Sequence, residues 1–93
     1  MLRMFKHIDI SVSGKVQGVF FRATAKEEAE KLDITGYARN MSDGTVYIEA
    51  EGEDEKLELF TEWCKSGPAH AEVKDISAEE SHEVKGFKAF DIE

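Results

Sequence analysis

Cysteine, proline and long apolar runs are almost missing from this chain. Cys64 stands alone, so an intrachain disulfide is excluded. Pro68 is the single proline, which argues for compact, well-connected elements rather than a proline-rich linker. No apolar run reaches the length of a membrane-spanning helix. The start, Met1 to Lys6, lacks the apolar core of a signal peptide. A cytoplasmic chain without membrane contact is the expectation. Basic residues are also scarce, 12 Lys and Arg against 20 Asp and Glu, for a net charge of −8. A nucleic-acid binder needs a broad basic face, so no nucleic-acid partner is expected. The histidines His7, His70 and His82 are scattered without ligand spacing, which gives no metal site. No cofactor is implied either.

What is present fits one small domain. Hydrophobic residues make up 41% of 93 residues, enough for one core and not for two. Residues 1–93 are expected to form a single domain, and a monomer. The charge is uneven. Residues 1–22 carry Arg3, Lys6, Lys15 and Arg22 against Asp9 alone. The acidic excess lies wholly in the remainder. A small positive island of this kind attracts a compact anion while the acidic remainder repels polyanions.

Hydropathy patterning predicts an order of elements. Ile8, Ile10 and Val12 alternate with Asp9 and Ser11, a strand over 6–13 with one buried face. Phe21, Ala25, Ala29 and Leu32 recur at helical spacing over 21–33. A second strand is expected over 34–41. Ser42-Asp43-Gly44 marks a hairpin turn, and Thr45 to Glu51 forms a third strand that Gly52 ends. Leu57, Phe60, Trp63 and Cys64 share one face of a helix over 54–66, stopped by Gly67-Pro68. Val73 and Ile76 are off-period for a flat strand over 71–78, which predicts a bulge. Residues 79–85 read as a charged loop or frayed edge. The last strand, 87–92, should place Phe90 and Ile92 on the core. The order β-α-β-β-α-β, with a possible split of the last part, suggests an α+β, ferredoxin-like sandwich. Two helices would cover one face of an antiparallel sheet.

The most informative stretch joins the first strand to the first helix: Gly14-Lys15-Val16-Gln17-Gly18-Val19-Phe20-Phe21-Arg22. Its two glycines permit a turn whose main-chain N–H groups converge. The turn feeds a helix N-terminus, where free N–H groups and the macrodipole attract anions. Arg22 in the first helical turn sits at the wrong end of that dipole. This costs about 0.3–1 kcal/mol unless an anion offsets it. The loop has neither a P-loop ending nor the third glycine of a dinucleotide fingerprint. Local residues alone leave two accounts open, an oxyanion cradle or a tight turn with a solvent-facing arginine.

The same stretch, complete as Gly-x-Val-Gln-Gly-Val-x-Phe-Arg, resembles the signature of the acylphosphatases. So does Gly36-Tyr37-Ala38-Arg39-Asn40 followed by Ser42-Asp43-Gly44-Thr45-Val46, and so does the closing Gly86-Phe87-Lys88-Ala89-Phe90-Asp91-Ile92. The resemblance spans nearly the whole chain. It implies hydrolysis of acyl phosphates, with the phosphoryl group bound by Gly14, Lys15, Val16, Gln17, Gly18, Val19, Phe20 and Arg22. It also implies that Asn40 orients the attacking water. The partners would be a small acyl phosphate and phosphate. Arginine suits phosphate because its planar fork is bidentate and stays charged. An amide orients water without adding negative charge beside phosphate. Neither motif carries His, Asp or Glu in a catalytic position. The chemistry then rests on positioning and charge stabilisation.

Other residues read as structural. Cys64 lies on an apolar stripe and suits packing better than nucleophilic attack. The strand 45–51 holds one tyrosine and two glutamates, unlike an RNA-stacking surface. Ala25, Met41 and Glu93 depart from residues common in the family. A noncatalytic anion-binding or regulatory module on the same fold is the alternative reading. A detached copy of the acylphosphatase-like domain of a hydrogenase-maturation carbamoyltransferase is another, and the lack of room for further domains counts against it.

Overall fold

The computed structural model describes residues 4–93. Arg3 and the chain start lie outside the described residues. The elements run β1 (Phe5–Lys15), α1 (Phe21–Lys31), β2 (Thr35–Asn40), β3 (Val46–Glu53), α2 (Asp54–Cys64), β4 (Glu72–Ser81) and β5 (Phe90–Ile92). The strands form one sheet in the order β4-β1-β3-β2-β5. This is the α+β, ferredoxin-like fold.

The period-2 pattern of β1 and β3 sorts their side chains. Ile8, Ile10 and Val12 meet Ala50, Ile48 and Val46 in register, and all six are buried on the face that receives the helices. α1 contributes Phe21, Ala25 and Ala29, one helical turn apart. α2 contributes Leu57, Phe60 and Cys64. Phe60 packs edge-on to Phe90 and stacks with Trp63, which in turn tilts against Phe21. Each fully buried phenylalanine contributes about 1.5–3 kcal/mol. Among the described residues no helix is long and apolar enough to cross a membrane.

Four expectations are corrected. The sheet is mixed, because β5 runs parallel to β2, with Gly36, Tyr37 and Ala38 opposite Phe90, Asp91 and Ile92. β4 continues to Ser81, past the expected end at 78 and into residues read as a charged loop or frayed edge. It is an edge strand whose backbone pairs with β1, and edges tolerate charged side chains that would be costly at a sheet centre. Gly52 lies inside β3, buried, where a Cβ would press on Ile34 at 3.1 Å. The predicted bulge is present. Ser13 faces Asp75 but Gly14 faces Val73, so β4 carries an extra residue at Lys74. Ile92 is 44% exposed and lines a surface cleft instead of the core.

Candidate active site

The bulge sets where β1 releases the chain. Gly14 has φ +119, and a Cβ there would stand 2.2 Å from the Glu72 carbonyl oxygen. Glycine is therefore required for strand pairing at the point where the loop begins. Val16 and Val19 are buried and anchor the loop to the core. Gly18 between them is exposed at φ +75. Phe20 follows in the left-handed region, φ 64 and ψ 24. Left-handed residues interleaved with others turn successive N–H groups toward one concavity. α1 then starts with no side-chain cap and no acidic residue in its first turn. The helix start therefore offers its dipole and unpaired N–H groups with no acidic residue in the first turn to meet them.

A cleft of about 320 Å³ opens at this point. Val16, Gly18, Phe20, Phe21, Arg22 and Ala23 line it from the loop and α1, and Asn40 and Ile92 from β2 and β5. Arg22 and Asn40 thus share one cleft. Gly14 and Lys15 do not line it, and Val19 is buried in the core. Gln17 does something the sequence did not show. Its Nε2 donates to the carbonyls of Met41 at 2.8 Å and Thr45 at 2.9 Å. The amide staples the loop to the β2–β3 hairpin, which is what brings Asn40 beside the glycine loop. The turn itself is capped by Asp43, whose carboxylate accepts from the Thr45 N–H and hydroxyl. Asn40 is half-buried, and its carboxamide takes no protein hydrogen bond among the described residues.

Arg22 is half-buried and donates through Nη1 to the Glu93 carbonyl at 2.6 Å. Glu93 donates its own N–H to Ala38 O. Its carboxylate accepts from Arg39, Nη2 at 2.5 Å and Nε at 3.1 Å. One residue therefore tethers both arginines to the edge of β2. Sequence reading noted Glu93 only as a departure from the family pattern. No local signal marks a contact between residues so far apart in the chain.

The opposite sheet face holds a second polar constellation. His7 is 4% exposed and sits among carboxylates from β1 and β3. Nδ1 lies 2.6 Å from a Glu51 carboxylate oxygen, and Nε2 lies 2.8 Å from Asp9 and 3.2 Å from Glu49. Burial alone would lower the His7 pKa, but the bonds to Glu51 and Asp9 outweigh it and raise it. Burial alone would raise the Glu51 pKa. The N–H groups of Lys85, Gly86 and Phe87, together with His7, lower it instead. Burial works against Glu49 likewise, and bonds from Lys85 Nζ and the Tyr37 hydroxyl lower its pKa. His7, Asp9 and Glu49 offer ligand atoms within 4.8 Å of one another. Linear spacing missed this, because the ligands come from two paired strands. His70 and His82 stay apart from it, exposed on the surface. Cys64 is buried, and burial pushes its thiol pKa up, away from the reactive thiolate.

A family model described as acylphosphatase matches residues 8–92. The chain belongs to the acylphosphatase family. An acylphosphatase from Rubrobacter xylanophilus is 40% identical over 90 residues, covering 97% of this chain and 82% of that protein. The solved acylphosphatase from Coxiella burnetii superposes with a TM-score of 0.92 at 39% identity, over 97% of this chain and 94% of the other. The Bacillus subtilis acylphosphatase gives 0.91 at 40% identity, over 94% and 97%. This acylphosphatase hydrolyses acyl phosphates to a carboxylate and inorganic phosphate.

Proposed function

We propose that the cleft between the glycine loop and Asn40 is where this hydrolysis takes place. Main-chain N–H groups of the loop from Lys15 to Phe20 and the start of α1 receive the phosphoryl oxygens, and the Arg22 fork neutralises them. Asn40 aims a water at phosphorus in line with the departing carboxylate. A carboxylate leaves readily, so no strong general acid is needed. The water's proton passes to a phosphate oxygen. No metal and no cofactor takes part in this scheme. The single observation that carries the reading is the convergence of Arg22 and Asn40 on one cleft with an uncapped helix start. In this reading residues 1–93 act as one domain and as a cytoplasmic monomer. The substrate is a small molecule, and neither membrane nor nucleic acid takes part.

The test is phosphate release from acetyl phosphate, with and without a chelator, for wild type and Arg22→Ala. Turnover unchanged by chelator and nearly lost in Arg22→Ala is the expected result. Loss of turnover with chelator would overturn the metal-free scheme. Full activity in Arg22→Ala would overturn the assignment of the cleft. The same assay separates hydrolysis from a noncatalytic anion-binding role.

A further inference from the structure

Phe20 stands in a costly place. Its side chain is 76% exposed, the most of any large hydrophobic among the described residues. Its backbone is left-handed, a conformation uncommon for any side-chain-bearing residue and a true outlier for a bulky one. Folding gains little from so exposed a ring, and glycine would take the same backbone freely. Strain of this kind persists where the surroundings enforce it, and it concentrates at functional sites. Phe20 also lines the cleft, together with the exposed Ile92. Met41, 37% exposed, follows Asn40 directly. Exposed apolar surface from Phe20 and Ile92 therefore lines the same cleft as Arg22 and Asn40, with Met41 next in the chain to Asn40.

An acyl phosphate has two ends with different needs. The phosphoryl end takes the N–H groups and Arg22. The acyl end must project out of the cleft, toward its mouth. In-line attack sends the leaving group away from the attacking water. Asn40 comes from the β2 wall, and Phe20 from the loop wall. Among the described residues no Asp or Glu lines the cleft, and the Glu93 carboxylate next in the chain to Ile92 is tied to Arg39. An apolar acyl group in the cleft would thus meet an aromatic face and an aliphatic side chain, with no acidic side chain in the lining.

We propose that Phe20, supported by Ile92, is a specificity-determining residue that packs on the acyl group and makes the enzyme prefer aromatic or longer aliphatic acyl phosphates over acetyl phosphate. This rests on the cleft being the phosphate site. An apolar contact of this size discriminates by about 10-fold or more.

The test compares kcat/KM for benzoyl phosphate and acetyl phosphate, read as their ratio. Damage to the main-chain cradle weakens both substrates alike and cancels in that ratio. Wild type should favour benzoyl phosphate by about 10-fold or more. Phe20→Ala should erase most of that preference, Phe20→Tyr should keep it, and Ile92→Ala should reduce it by a smaller factor. A wild type without preference would overturn the proposal. So would a ratio in Phe20→Ala within about twofold of wild type, well short of the loss expected. Arg22→Ala, assayed in parallel on both substrates, reports separately on the phosphate site itself. Full activity there would sink the underlying assignment whatever the ratio shows.

Discussion

Glu51 and Arg22 are both charged, both close to main-chain atoms, and differently served by their surroundings. Glu51 is 1% exposed. It accepts from His7 and from the N–H groups of Lys85 at 2.5 Å and Gly86 at 2.9 Å, with Phe87 more distant at 3.4 Å. Arg22 sits half-buried in an open cleft and gives one bond, to Glu93. A guanidinium has five donors, so most of its capacity faces solvent. The first region is saturated, and a saturated buried network holds the structure together. The second leaves most of its donors unmet by protein groups among the described residues, at a cleft that Asn40 also lines. Clusters of charge alone do not separate a structural network from a site. The count of unmet partners does.

Substitutions can break or sharpen that contrast. The largest effect should come from Arg22→Ala, which removes a preorganised charged donor. A loss of about 10²–10³-fold in kcat/KM is expected, with thermal midpoint nearly unchanged because the side chain is not in the core. Glu51→Ala should do the reverse. It strands His7 and buried N–H groups without their acceptor, at about 3 kcal/mol of stability in a denaturant titration, while the protein that stays folded keeps its turnover. A Glu51→Ala protein as stable as wild type would show that the network is not what holds the 85–87 segment. A smaller effect is expected at Asn40→Ala. Misaiming the water should lower kcat by about 10²-fold and leave competitive inhibition by inorganic phosphate close to wild type. Equal damage to both constants would argue against water orientation.

The smallest effect is in pH. The raised His7 pKa contributes stability that is complete below its ordinary value of 6.5 and fades as pH rises through the folded value. The lowered Glu49 and Glu51 pKa values contribute stability that is complete above their ordinary 4.5 and fades as pH falls through the folded values. The cluster therefore stabilises most between pH 4.5 and 6.5. Stability measured upward from pH 6.5 should fall more steeply in wild type than in His7→Gln. Parallel curves would remove His7 from the account.

Legibility followed the range of the interactions involved. The helix faces of Phe21, Ala25 and Ala29 and of Leu57, Phe60 and Cys64 were readable because a 3.6-residue period is a local property. The bulge was readable from Val73 and Ile76 for the same reason. The parallel entry of β5 was not, since three residues carry no periodicity that tells direction. Ile92 was assigned to the core by alternation, yet it lies at a sheet edge where one face opens on the cleft. Gln17 was counted with the cradle for its N–H. Its side chain instead fixes the hairpin, a role set by a partner more than twenty residues away.

Taken alone, the chain determined the order of elements, the glycine loop with its arginine, and the amide ahead of a hairpin, because backbone freedom and side-chain period are written residue by residue. The folded molecule decided that Arg22 and Asn40 meet, that Glu93 steadies both arginines, and that His7 is buried among carboxylates. Those outcomes depend on strand order and on which edges come together. The packing of distant segments selects them all at once, with no single stretch of chain specifying any of them.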